Sequence, residues 1–377
     1  MKKKDVAWLN WYNGLLFSAS ATLFGSLLIL DRQTDVQLHM RFLQEFIWGE
    51  RAFPPNFVYY CLVLVLSFFQ NNLQVFYIAS TLILATSVTA KFILTKQFIS
   101  NQMTGDCKKT FTRVIPNCIS VCLLFAFSIP WPQFHSYLGQ IPSNVWHNPT
   151  TILLMPFALG LFLTSIKQLD QSKNERIKWV CYLVLLNIFI KPSFFFVFSV
   201  AYPIFLYCKF KFTISFWKNL IPIVAGILGV MTVYYFVYET QPKVKVGIHP
   251  LAVWNLYTRN IFGSLVLSLV FPATYLFLYW KTLFKERTIQ FAIILFLGAI
   301  LIFSLFSEEG RESEGNFFWQ CIVTSYLLFM ALSADLAKRL CEEKIDWKII
   351  LVCICLGTHA LSGIAYLIRF FILGTYF

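Results

Sequence analysis

Apolar runs recur along this chain from end to end, separated by short polar breaks. Hydropathy places them at Trp11 to Leu30, Leu73 to Leu94, Val114 to Ile129, Thr150 to Ile166, Trp179 to Ile190, Phe194 to Cys208 and Leu220 to Tyr238. Four more follow at Ile261 to Trp280, Ile289 to Phe306, Phe317 to Leu336 and Ile349 to Leu373. A run of about 20 apolar residues is long enough to cross a bilayer. The pattern therefore predicts an all-α, polytopic transmembrane bundle of about 11 spans. Phe57 to Phe69 is apolar but short, and it reads as a half-buried or re-entrant helix. No polar segment exceeds roughly 40 residues, too few to fold alone, so residues 1–377 read as one integral-membrane domain.

The segment between the first two full spans has a different pattern. From Val36 the apolar positions are Val36, Leu38, Met40, Phe42, Leu43, Phe46 and Ile47, and the last four fall at helical spacing. Gln37, Arg41, Gln44 and Glu45 lie between them. An amphipathic helix lying on the bilayer surface fits this pattern. Asp35 reads as its N-cap, Gly49 closes it, and Pro54-Pro55 blocks continuation.

Composition agrees with the pattern. The chain is 58% hydrophobic, 18% aromatic and 13% charged. The net charge of +13 raises nucleic acid as a partner. The basic residues, however, sit in short loops between spans, as the positive-inside rule requires, so nucleic acid is not expected. That rule places the N-terminus, with Lys2 to Lys4, in the cytoplasm and the C-terminus outside, in a multi-pass cell-membrane protein. The first span reads as retained, because no small-residue cleavage site follows it. The ten cysteines show no CxxC pair, and neither a disulfide framework nor a metal site is expected.

Candidate chemistry clusters at the expected external ends. Asp35, at a low-dielectric interface, is placed to act as a general base for a hydroxyl, or else it simply caps its helix. His39 follows one helical turn later and shares its face. Lys191, before Pro192 at the tip of a helical hairpin, either snorkels or binds a lipid phosphate as a point charge. His147 and Asn148 could contact a sugar, with Trp131 or Trp146 stacking on it, although interfacial aromatics are often anchors. The acidic loop Glu308 to Asn316, which includes Glu309, could hold a divalent cation or pair with Arg311 and Arg259. Those two arginines could also grip phosphate bidentately. No P-loop, GxGxxG, HExxH or nucleophile elbow is present.

The order of one outward span, external Asp35, interfacial helix, Gly49, Pro54-Pro55, the pair Tyr59-Tyr60 and a short apolar helix resembles the GT-C superfamily of membrane glycosyltransferases. Aminoarabinose lipid A transferases and protein O-mannosyltransferases belong to it. The stretch Asn187 to Pro192 is similar to the lysine-bearing hairpin tip of those enzymes. The chain departs from them in having Val36 where a second acid is usual, no acid in the second external loop and no large C-terminal soluble domain. The resemblance implies transfer of a sugar from a polyprenyl-phosphate donor to a lipid or glycan acceptor on the external face. Asp35 would be the base or acceptor-orienting group and Lys191 the holder of the donor phosphate. The alternatives are a polysaccharide polymerase working through Arg259 and Arg311, and a lipid or solute transporter. Transporters place charge at mid-membrane beside broken helices, whereas the spans here read as almost uncharged.

Overall fold

The computed structural model describes residues 11–103, 109–131, 135, 137–170, 175–235, 245–342 and 344–375. Lys2 to Lys4, Lys108, Lys173 and the first part of the loop that precedes Arg259 lie outside the described residues. The described chain forms α1 (Trp11–Ile29), α2 (Asp35–Ile47), α3 (Phe57–Leu66), α4 (Leu73–Gln102), α5 (Lys109–Phe125), α6 (Pro149–Asp170), α7 (Ile177–Ile190) and α8 (Ser193–Phe210). After these come α9 (Ile214–Asn219), α10 (Ile221–Val233), α11 (Ala252–Tyr257), α12 (Ile261–Ser268), α13 (Val270–Leu278), α14 (Arg287–Leu305), α15 (Trp319–Glu342) and α16 (Trp347–Leu373). The short strands β1 (Val246–Ile248) and β2 (Phe306–Glu308) pair antiparallel, with Gly247 opposite Ser307.

The molecule is a helical bundle of the polytopic membrane kind. Backbone groups in hydrocarbon find no water, so long apolar runs bond internally as helices. Among the described residues, eight helices are long and apolar enough to cross a membrane, and a ninth span results if α12 and α13 count together. This is fewer than the eleven expected, for local reasons. α5 and α7 are shorter than a full span. α3 has only 10 residues, about 15 Å of helix, half the thickness of the hydrocarbon core. α12 and α13 meet at 71°. Pro272 brings no N–H and its ring crowds the carbonyl of Ser268 one turn earlier, so the helix breaks at Leu269.

The loop from Pro130 to Pro149, expected on the external side, is packed into the protein over residues 137–148. α5 stops at Phe125, and Ala126 to Ser128 continue without helix, buried in the bundle. The Phe127 N–H bonds to the His359 carbonyl, and the Ile129 N–H to that of Leu267. Asn144 donates to the carbonyls of Leu123 and Ala126 at 2.8 and 2.7 Å, satisfying the end of α5. Residues 137–148 are all buried. Irregular backbone at such depth is tolerated because side chains and neighbouring helices satisfy it.

α6 and α15 are the most enclosed long helices and form the centre. α1 packs along α4, α4 along α6, α7 along α10, and α14 along α15. Helix ends gather at two poles. At one pole the Gln33 N–H bonds to the Gly374 carbonyl, joining the ends of α1 and α16, and the β1–β2 pair lies beyond α14. At the other, Arg287 pairs with Asp170 at 2.7 Å, and Arg339 bonds to Asp335, the Tyr275 hydroxyl and Thr282. Cys341, near that second pole, is disulfide-bonded, which its spacing in the sequence did not foretell.

Candidate functional site

The site is built at the first pole, where α2 begins. Asp35 is not the N-cap that the sequence predicted. Thr34 holds that place, with extended backbone at φ −118° and ψ 153°. Gln37 Oε1 accepts from the Thr34 N–H at 3.1 Å and from its hydroxyl, while the Gln37 amide donates to the Arg32 carbonyl at 2.8 Å. The helix start is therefore closed without Asp35. Asp35 becomes the first helical residue, and its carboxylate is free of capping duty. Gly49 closes the far end as expected, at φ +76°, a conformation that glycine adopts without penalty.

Asn148 holds the centre together. Its Nδ2 donates to Asp35 Oδ2 at 2.7 Å, and its Oδ1 accepts from Lys191 Nζ at 3.1 Å. One side-chain amide thus stands between an anion and a cation. Two further bonds fix the amide's orientation, and a third ties the start of α2 to the segment before α6. The amide Oδ1 also accepts from the Thr150 hydroxyl and the Thr151 N–H, both at 3.0 Å, and the Asp35 N–H donates to the His147 carbonyl at 3.0 Å. These residues sit at the start of α6, where Asn148 caps the first turn.

Lys191 ends α7, and Pro192 prevents the helix from continuing. Its ammonium donates to Thr151 Oγ1 at 2.8 Å and lies 4.1 Å from the centre of the Trp319 ring. All these immediate partners are neutral. The positive charge is thus solvated by the protein without being cancelled at contact distance. His39 Nδ1 bonds to the Tyr60 hydroxyl at 2.5 Å, and Tyr60 is fixed in turn by ring packing against Tyr59. The His147 ring packs edge-on to Tyr137, with centroids 4.6 Å apart.

Burial sets the charge states. It raises the Asp35 carboxyl above the ordinary range, opposed by the Asn148 hydrogen bond and the Lys191 charge. It pulls Lys191 down to about 7, with Asp35 opposing. His39 and His147 both fall to about 3, by burial first and the Lys191 charge second, and are neutral at ordinary pH. Asp35 and His39 keep part of their surface open, while Lys191, His147 and Asn148 are buried.

The sequence-predicted residues divide into two sets. Asp35, His39, His147, Asn148 and Lys191, drawn from three separate stretches, come together. Arg259, Glu309 and Arg311 lie in an exposed outer layer. Arg311 forks onto Glu314 at 2.7 and 2.6 Å, and Glu309 stands 3.8 Å from His249. Among the described residues, no group of three or more His, Cys, Asp or Glu is arranged to hold a metal ion. The expected stacking tryptophans also lie elsewhere. Trp131 is exposed, and Trp146 is packed against Phe127 and Tyr366.

Sequence reasoning missed Thr151, Trp319 and Lys91. The Thr150-Thr151 pair at a helix start and a tryptophan opening the α15 run were visible signals for the first two. Lys91 lies well inside α4, 7% exposed, where the spans were read as almost uncharged. No family model matches this chain, and neither the curated proteins nor the solved structures give a match.

Proposed function

We propose that the protein is a GT-C-type glycosyltransferase that moves a sugar from a polyprenyl-phosphate donor to a lipid or glycan acceptor at the external face of a cell membrane. The observation that carries this reading is the Asp35–Asn148–Lys191 chain at one pole of an apolar bundle. An acceptor hydroxyl is activated by a base within hydrogen-bond reach. A departing phosphate is stabilised by fixed positive charge. Asp35 and Lys191 supply these two groups, and Asn148 keeps them from collapsing into an ion pair.

In the proposed step, the Asp35 carboxylate takes the proton from the acceptor hydroxyl. The acceptor oxygen bonds to the anomeric carbon from the face opposite the phosphate. The bond between that carbon and the phosphate oxygen breaks, and its electron pair stays on the phosphate beside Lys191. The sugar is transferred with inversion. His39 and His147, both neutral, orient hydroxyls rather than carry charge. The second pole holds Lys167, Arg176, Lys209, Arg287 and Arg339, and the positive-inside rule sets it in the cytoplasm. The Asp35 pole is then external.

The polymerase alternative gains nothing from Arg311, whose fork is engaged by Glu314. The transporter alternative has one specific observation in its favour, a buried Lys91 together with a broken α12–α13 helix. Lipid-linked glycan profiling of a deletion strain separates the readings. Loss of the transferase makes the polyprenyl-phosphate sugar accumulate while a glycan loses that sugar, and the wild-type gene reverses both. A deletion that leaves every lipid-linked glycan and donor unchanged rejects the transferase reading.

A further inference from the structure

Lys91 touches none of the groups at the Asp35 centre, yet it grips the same buried segment. It lies well inside α4, and its ammonium donates to Asn144 Oδ1 at 2.5 Å and faces the Tyr326 ring at 4.3 Å. The Tyr326 hydroxyl bonds in turn to the hydroxyl of Thr95, one turn further along α4, at 2.6 Å. Among the described residues, no carboxylate pairs with Lys91. A cation at this depth is costly unless it holds something in place.

What it holds is the orientation of one amide. Asn144 Nδ2 donates to the carbonyls of Leu123 and Ala126, where α5 ends. With its nitrogen on two acceptors, the amide must turn its oxygen toward Lys91, and only a donor suits that place. The carbonyl end of a helix carries partial negative charge. The lysine charge thus reaches the end of α5 through a single side chain, and Asn144 is pinned between α4 and α5.

The same arrangement recurs at the candidate centre. Lys191 donates to Asn148 Oδ1 and lies over the Trp319 ring. Asn144 and Asn148 are four residues apart on one buried segment. Trp319 and Tyr326 are seven residues apart on α15, about 10 Å along that helix and on one face. Two lysine rungs therefore join α15 to residues 144–148. The Lys191 rung reaches Asp35 through Asn148. The Lys91 rung fixes the segment just before it, and Tyr137 adds a bond from its hydroxyl to the Asn144 carbonyl at 3.4 Å.

We propose that Lys91 is a positioning residue for the Asp35 centre. By holding Asn144 against the end of α5, it sets where Asn148 stands between Asp35 and Lys191. The proposal rests on the transferase reading only for its activity readout, because the geometry is read without turnover.

The test treats the purified full-length protein in neutral detergent with dicyclohexylcarbodiimide, which reacts with protonated carboxyls, across a pH series. The Asp35 adduct is quantified by mass spectrometry. The Asn148 hydrogen bond favours the ionised carboxylate, so displacing Asn148 lets Asp35 take its proton at higher pH. Lys91→Met is expected to move the Asp35 midpoint up by about one pH unit. At equal membrane levels it should lower sugar transfer roughly 10- to 100-fold. Asn144→Ser keeps the lysine charge and removes the hold. It should move the midpoint in the same direction, which separates positioning from a simple loss of charge and covers the case in which Lys91→Met fails to accumulate. A wild-type midpoint in either variant overturns the proposal. Failure of both to accumulate would make this rung a folding requirement alone and overturns it as well. A shifted midpoint in a protein whose wild type transfers no sugar keeps the positioning role and rejects the transferase reading.

Discussion

At the scale of single residues, Asn148 is the centre of the candidate site. It donates to Asp35 and accepts from Lys191, so its two ends cannot be exchanged without loss. Asn148→Asp removes the donor and sets a second carboxylate against Asp35. Two carboxylates in contact raise one another's affinity for a proton. The variant is expected to shift the acid limb of activity to higher pH, read from sugar transfer across a pH series in isolated membranes. The wild-type profile follows from the same charges. In the proposed mechanism Asp35 works ionised, and burial raises its pKa, so activity is expected to fall earlier on acidification than an exposed carboxylate would dictate. In the same mechanism Lys191 works charged, and burial lowers its pKa to about 7, so activity is expected to fall again as pH rises through that value. A bell with its alkaline limb near neutrality is expected, and a flat profile through pH 8 would remove Lys191 from the charged role. In Lys191→Met the same assay should show the alkaline limb gone and the rate low throughout.

Asp35 and Lys191 were legible in the sequence because a charge beside an apolar run stands out. The capping role assigned to Asp35 was not correct, because Thr34 and Asp35 are both good cap residues and only the backbone torsions decide between them. Lys91 was lost because a cation near the end of an apolar run looks like a snorkelling boundary residue. Its true depth depends on how far α4 extends, and α4 runs on to Gln102.

At the scale of elements, two features hold the site in place. The first is the Thr34–Gln37 closure of α2. Gln37→Ala removes bonds to Thr34 and Arg32 and should destabilise the helix start by about 1 kcal/mol. Because Asp35 is the next residue, the expected result is a weaker apparent acceptor affinity with normal membrane levels. The second feature is the crossing of α16 over the end of α5. A Cβ at Gly363 would lie 1.6 Å from the Phe125 carbonyl oxygen, a backbone atom that cannot step aside. Gly363→Ala is expected to lower the thermal midpoint in detergent sharply or prevent accumulation in the membrane. An unchanged midpoint would mean that α5 does not end against α16 as described. These crossings explain why helix positions were readable and helix ends were not. Hydropathy located each run and Pro272 marks the break at Leu269, but the stop at Phe125 depends on groups remote in sequence, above all His359. Its Nδ1 contacts the Phe127 carbonyl at 2.6 Å, and its Nε2 accepts from the Phe271 N–H at 3.2 Å. Nothing near Phe125 in the chain announces that partner.

At the scale of the whole molecule, the bundle keeps its candidate chemistry at one pole and most of its basic loop residues at the other. That separation was visible in the spacing of Lys and Arg. The buried course of residues 137–148 was not, because a segment rich in Pro, Trp, His and Asn has the composition of an external loop. The proposed orientation is checked by single-cysteine labelling in intact cells. Gly310→Cys, in the exposed loop after β2, should react with a membrane-impermeant maleimide. Lys285→Cys, near the start of α14, should react only after permeabilisation. The reverse pattern would turn the Asp35 pole to the cytoplasm and exclude an external donor.

The central claim is that Asp35 performs base chemistry at this pole, and one measurement addresses it most directly. A deletion strain is complemented with wild type or with Asp35→Asn at equal membrane levels, and its lipid-linked glycans are profiled. Asparagine keeps the size of the side chain and can still meet Asn148, but it cannot take a proton. Loss of a general base lowers rates by about 10² to 10⁴, so the account predicts that wild type restores the missing glycan and Asp35→Asn does not. Full restoration by Asp35→Asn would contradict the account and leave the carboxylate a structural partner of Asn148.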